Sequence, residues 1–217
     1  MTQSAAMIAA GRNVLVLAPH TDDGEFGAGG TIARLIDAGA EVRYVAFSTA
    51  SRSLPAGFPA DTLVHEVRAA TSTLGIPEAH LTVHDFEVRT FPSVRQDILE
   101  ILVALNTDLR PDLVLTPSLG DIHQDHETIA RESMRAFKRT TLLGYEIPWN
   151  CFNFRQQAYV ELEPAHIDRK VAALLCYRSQ AHRNYANEEY VRNVARTRGI
   201  EGGRELAEVF EVYRWFL

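Results

Sequence analysis

The stretch APHTDDGEFGAGG, Ala18 to Gly30, decides how the rest of the chain is read. It sets one His and two adjacent Asp between an apolar run, NVLVLA (Asn13 to Ala18), and a glycine-rich segment that opens a helical pattern. A continuous apolar run of this kind is expected of a strand buried on both faces, as in a parallel sheet. Asp where a strand hands over to a helix has an ordinary explanation, because its carboxylate caps turns and helix N-termini. A metal site is the sharper explanation, and it needs support from elsewhere in the chain.

Outward from this stretch, apolar runs alternate with amphipathic segments. GGTIARLIDAGA reads as a helix, with Ile32, Leu35 and Ile36 at helical spacing and Gly39 as its C-cap. EVRYVAFST follows as a strand, then DTLVHEVRAATSTLG as a helix capped by Asp61 and closed by Gly75. FPSVRQDILEILVALN is a further helix and PDLVLTP a strand bounded by two prolines. DHETIARESMRAFKR is a helix with Ile129, Ala130, Ser133, Ala136 and Phe137 facing inward. LLGYEIPW and QAYVEL read as strands, PAHIDRKVAALLCYRSQ as a helix with Pro164 at its start, and AEVFEVYRWF as a closing strand. The alternation predicts a single α/β domain over residues 1–217, a mostly parallel sheet with helices on both faces.

Composition narrows the function classes. The 217 residues are enough for a full hydrophobic core. Cys151 and Cys176 follow no CxxC spacing, so they read as buried thiols in a reducing compartment rather than as a disulfide or a sulfur-rich zinc site. MTQSAAMIAAGRN lacks the positive flank and long apolar core of a signal peptide, and no later stretch matches a membrane span, so a cytoplasmic location is expected. A net charge of −6 argues against non-specific binding to nucleic acid.

The glycines first suggest a dinucleotide fold, but a GxGxxG frame starting at Gly27 meets Ile32 where glycine is required. The second strand also ends in Phe47, Ser48 and Thr49, without an acid for a ribose hydroxyl, so NAD binding is not expected. The glycines instead let the first helix approach the sheet closely.

Support for the metal reading comes in TPSLGDIHQDHETIARE, where His123, Asp125 and His126 follow the strand DLVLT as a helix begins. This repeats the position of His20, Asp22 and Asp23 at the carboxyl end of a strand, the edge of an open parallel sheet where ligands bind. Such a set suits a catalytic zinc, with three protein ligands and one position left for water, and it also suits iron(II) or another divalent ion. His65, His80, His84 and His166 have no partner at ligand spacing, SQAHRNY could bring His182 back to the site, and Asp121 reads as a cap.

APHTDDGEFGAGGT and TPSLGDIHQDH together resemble the PIG-L/LmbE family of metal-dependent deacetylases, and the likeness runs on through KVAALLCYRSQ and ARTRGIEGGRELAEVFEVYR. The resemblance implies a Rossmann-like fold, a zinc ion on His20, Asp23 and His126, Asp22 as general base, and His123 at the carbonyl oxygen. Asp125 would orient an imidazole, or cap the helix that follows. Thr21 stands where the family has Pro, and Val64 and His65 where it often carries an Arg before Glu66.

The implied substrate is an acetylated amino sugar, nucleotide-linked or phosphorylated, with Arg52, Trp149, Asn150, Arg178 and Arg183 as candidate contacts. The motifs fit equally a non-sugar amide such as a thiol conjugate or antibiotic intermediate. A non-catalytic binding module of the same fold is disfavoured by an Asp22 that the metal does not need. The apolar C-terminal strand could pair within the sheet or in a homo-oligomer.

Overall fold

The computed structural model describes residues 12–216, so the reading of MTQSAAMIAAG lies outside the described residues. Strand β1 (Asn13–Ala18) is buried beyond its first residue. Its side chains divide between two cores, Val14, Val16 and Ala18 into one and Leu15 and Leu17 into the other. That division explains the unbroken apolar run: neither face of this strand meets water.

The remaining elements are α1 (Asp23–Asp37), β2 (Glu41–Ala46), α2 (Thr62–Leu74), β3 (Leu81–Val83) and α3 (Arg95–Leu109). They continue as β4 (Leu113–Pro117), α4 (Gln124–Ala136), β5 (Thr141–Tyr145), β6 (Ala158–Glu161), α5 (Pro164–Leu174), α6 (Glu188–Glu201) and β7 (Ala207–Arg214). One seven-stranded sheet runs in the order β3-β2-β1-β4-β5-β7-β6. Strands β3, β2, β1, β4 and β5 are parallel, and β7 is antiparallel to both its neighbours. Helices α1, α2, α5 and α6 contribute to the core on one face, and α3 and α4 to the core on the other.

The chain moves outward from β1 through β2 to β3, then crosses back to β4 beside β1 and continues to β5. The order therefore reverses between β1 and β4, and the loops leaving their carboxyl ends face each other across a crevice. Both His/Asp clusters lie on those two loops and in the first turns of the helices they lead into.

The structure differs from the sequence reading in several places. Helix α1 begins at Asp23, running through the glycines instead of after them. It lies so close to the sheet that a Cβ at Gly24 would stand 2.6 Å from the Tyr44 ring and one at Gly27 2.2 Å from the Tyr145 ring. The reading also omitted β3, too short for a period-two pattern, and α6, in which charged and polar residues hide the buried Val191 and Ala195. The C-terminal strand is interior, between β5 and β6, so its apolar residues pair within the sheet. The helix expected to run to Gln180 ends at Leu174, and a separate 3-10 turn covers Arg178–Gln180. Finally, both cysteines are free thiols, but only Cys151 is buried.

Candidate metal centre and its cavity

Asp22 is the N-cap residue of α1, yet its side chain makes no capping hydrogen bond. The ordinary reason for an acid at this position is therefore absent, and Asp22 instead lines a cavity of about 430 Å³ at the crevice. His20, Asp23, His123 and His126 line the same cavity.

Three candidate ligand atoms converge there. Asp23 Oδ2 lies 3.1 Å from His20 Nδ1 and 3.2 Å from His126 Nε2, and those two nitrogens are 3.2 Å apart. The outer nitrogens are both committed. His20 Nε2 donates to Asp125 Oδ2 at 3.0 Å, and His126 Nδ1 donates to Asp121 Oδ2 at 2.7 Å. With one ring proton directed outward on each, the inner nitrogens are left facing one another and a carboxylate oxygen, an arrangement that suits a cation between them, either a proton or a metal ion. A tetrahedral ion about 2.0–2.1 Å from each ligand has ligand atoms roughly 3.3 Å apart, close to the triangle seen. An imidazole that donates its far nitrogen to a carboxylate is also the usual arrangement of a metal-binding histidine.

The electrostatics agree. Burial opposes charge on His126, but Asp23 and Asp121 outweigh it and push the imidazole up to about 10. His20 is likewise raised despite its burial, by Asp23 and Asp125. Burial would raise Asp23, yet His126 and His20 hold it well below the usual carboxylate range. Asp22 goes the other way: burial and the neighbouring Asp23 push it up to about 6, against His20 and Arg183.

His123 is arranged differently. The three imidazoles His20, His123 and His126 offer nitrogens that all lie within 4.8 Å of one another, so His123 is also within reach of an ion. However, it is the N-cap of α4, and its Nδ1 accepts the N–H of Asp125 at 3.2 Å. An accepting Nδ1 leaves the proton of the neutral ring on Nε2. Burial, together with His126 and His20, lowers its pKa and favours that neutral form.

Asp125 is fully buried and does not line the cavity. Beyond His20 it accepts the N–H of Arg89 at 2.6 Å and of Phe91 at 3.3 Å, tying the loop after β3 to the centre. It is not the helix cap, a position that His123 takes. Asp121, read as a cap, does accept the N–H of His123 at 2.8 Å, and it also orients His126. The only sequence signal for that second task was its place five residues before His126.

Of the candidate substrate contacts, Trp149, Asn150 and Arg183 line the cavity. Arg52 and Arg178 do not: Arg52 pairs with Glu87 at 2.6 Å, and Arg178 is exposed. His182 lies within 3.1 Å of the Ser179 carbonyl and stays outside, while its neighbour Arg183 enters. Arg89, Gln180 and Tyr185 also line the cavity and were not anticipated. Glu66 has a structural task, since its carboxylate accepts from Ser179 N at 2.9 Å and Ser179 Oγ at 2.6 Å and so fixes the turn that carries Gln180.

Comparison with known proteins places this geometry in context. The chain is 24% identical over 221 residues to diacetylchitobiose deacetylase from Thermococcus kodakarensis, covering 91% of this chain and 81% of that protein. The structure of the conserved protein TT1542 from Thermus thermophilus superposes with a TM-score of 0.78 at 28% identity, covering 95% and 96% of the two chains. GalB, a 4-carboxy-2-hydroxymuconate hydratase from Pseudomonas putida KT2440, also matches with a TM-score of 0.78, but at 22% identity, over 95% of this chain and 98% of its own. That likeness concerns the fold alone. Residues 15–137, more than half of the sequence, match the PIG-L family, described as GlcNAc-PI de-N-acetylase, and the chain belongs to that family.

Proposed function

We propose that this protein is a metal-dependent N-deacetylase that removes the acetyl group of an acetylated amino sugar, with residues 1–217 acting as one catalytic unit. The observation that carries the reading is the triangle of His20 Nδ1, Asp23 Oδ2 and His126 Nε2, with sides of 3.1–3.2 Å, beside an Asp22 that makes no capping bond. The relationship to a diacetylchitobiose deacetylase supports the substrate class.

His20, Asp23 and His126 would hold the ion, and their donor set of two imidazoles and a carboxylate fits zinc, with iron(II) also accommodated. Bound there, a divalent ion supplies a Lewis acid for the acetyl carbonyl and brings the pKa of water towards about 7. Asp22, pushed up to about 6, is matched to taking a proton from water near neutral pH and returning it to the departing amine. His123 presents its Nε2–H to the carbonyl oxygen as negative charge develops, a contact worth about 3–4 kcal/mol in comparable sites. Asp125 and Asp121 act at one remove, fixing the ring orientation of His20 and His126.

The test is acetate release by the metal-loaded protein from a panel of N-acetylglucosamine derivatives and non-sugar acetamides. Turnover of the sugars supports the reading. Turnover confined to non-sugar amides would replace its substrate class, and release from none, with metal bound, would remove the deacetylase assignment.

A further inference from the structure

Glu211 is a buried acid on strand β7 that is held by donors alone. Among the described residues no basic side chain lies within ion-pair distance of it. Ser118 Oγ donates to its Oε2 at 2.7 Å, the Tyr213 hydroxyl donates to the same oxygen, and the N–H of Arg155 donates to Oε1 at 3.2 Å. Two of these donors are themselves held. Ser118 Oγ accepts the N–H of Gly120 at 2.9 Å, and the Tyr213 oxygen accepts the N–H of Leu119 at 2.6 Å. Every bond in this network runs toward Glu211, which thereby organises three successive residues, Ser118, Leu119 and Gly120. A carboxylate accepts from three donors at once, whereas a carboxamide would set a donor of its own among them.

Those three residues are the turn that leaves β4, and the next residue is Asp121, whose N–H closes the turn onto the Ser118 carbonyl at 3.2 Å. Asp121 in turn orients the His126 ring and holds the N–H of His123. The Arg155 contact reaches the loop after β5, which pairs Cys151 with Asp121 and accepts the N–H of Ile122 on the Asn150 carbonyl at 3.2 Å. Strand β5 makes room for the network. Gly144 pairs with Glu211 in the sheet, and a Cβ there would stand 2.5 Å from the Tyr213 hydroxyl. Burial, together with Glu211, raises the Tyr213 phenol, which therefore keeps the proton it donates.

We propose that Glu211 is a positioning residue for the metal centre: through Ser118 and Tyr213 it fixes the turn that carries Asp121, and through Asp121 it sets how His126 faces the ion. This rests on the metal reading above and goes beyond it, since Glu211 lies outside residues 15–137 that match the family and does not line the cavity.

The experiment measures zinc affinity by competition with a chelator, beside urea unfolding of each metal-free variant. Glu211→Gln and Tyr213→Phe should each weaken zinc at least about fivefold, below the loss in Asp121→Ala. Because Glu211 acts through Asp121, adding Glu211→Gln to Asp121→Ala should change the affinity by less than about twofold. Leu74→Ala, in the core at the end of α2 away from the cavity, should lower the urea midpoint and leave zinc affinity within about twofold. If Glu211→Gln fails to fold, Tyr213→Phe, which keeps the ring and removes only the hydroxyl, decides alone. Zinc affinity within about twofold of wild type in the folded variants overturns the proposal, and so does a full additional loss in the Asp121→Ala background. A wild type that binds no divalent ion would instead overturn the metal reading, and the inference with it, a result distinct from a wild type that binds zinc beside variants that bind it equally well.

Discussion

Asp121 Oδ2 accepts a hydrogen bond from His126 Nδ1 at 2.7 Å, while Asp121 Oδ1 accepts the backbone N–H of His123 at 2.8 Å. One carboxylate thus fixes both a ring that faces the ion site and the loop that carries it. Replacing Asp121 by Ala should weaken zinc binding by about 10–100-fold, the usual effect of removing such a partner. Competition against a chelator of known affinity reads this directly, and an unchanged affinity would show that His126 needs no such support.

The charge on His126 predicts how metal binding depends on pH. Held up to about 10 by Asp23 and Asp121, the metal-free imidazole keeps its proton at neutral pH, and the incoming ion must displace it. Because the folded pKa is raised, the proton competes more strongly as pH falls. Apparent metal affinity should rise at least roughly tenfold per unit between about pH 6.5 and 7.5, with at least one proton released per ion, His126 giving one and the likewise raised His20 adding to it. Titrations in buffers of different ionisation enthalpy count the protons. A pH-independent affinity with no release would contradict the assignment of His126 as a ligand.

Gly27 tests the close approach of α1 to the sheet. A Cβ there would stand 2.2 Å from the Tyr145 ring, which is anchored by its hydroxyl donating to the Leu17 carbonyl at 2.9 Å. Gly27→Ala should therefore destabilise the fold by about 1–3 kcal/mol despite the better helix propensity of alanine. Urea unfolding measures the loss, and an unchanged or raised midpoint would mean the helix shifts freely.

A buried ion pair braces the same helix. Lys170 Nζ donates to Glu208 Oε1 at 2.6 Å and to the Phe26 carbonyl at 2.6 Å, and Glu208 also accepts the N–H groups of Gly30 at 3.0 Å and Thr31 at 2.6 Å. Lys170→Met leaves the Glu208 charge without its counterion and should cost about 3–5 kcal/mol. Lys170→Met combined with Glu208→Gln should recover part of that loss. Additive losses in the double variant would show that the pair is not coupled.

Much of this arrangement could be read in advance because it depends on local features. The run Asn13 to Ala18 has the unbroken apolar character expected of a strand buried on both faces, and the spacing from His123 to His126 put two imidazoles at one helix start. What escaped reading depends on contacts distant in sequence. Asp121 resembles any turn acid until the His126 ring is placed beside it. The interior position of β7 is set by its pairing with β5 and β6, and three-residue β3 is defined only by β2. The fork of Arg183 differs from those of Arg52 and Arg178 only once Glu66 has docked the Ser179 turn against α2.

The proposed function divides the labour between two adjacent aspartates, Asp23 for the ion and Asp22 for the proton. Metal content and acetate release measured together on wild type, Asp22→Asn and Asp23→Asn test that division most directly. The account predicts about one ion in wild type and in Asp22→Asn, with deacetylation in Asp22→Asn lowered by about 10²–10⁴-fold. Asp23→Asn should bind the ion poorly and lose activity with it. Loss of the ion from Asp22→Asn, or full activity in that variant with the ion bound, would contradict the account.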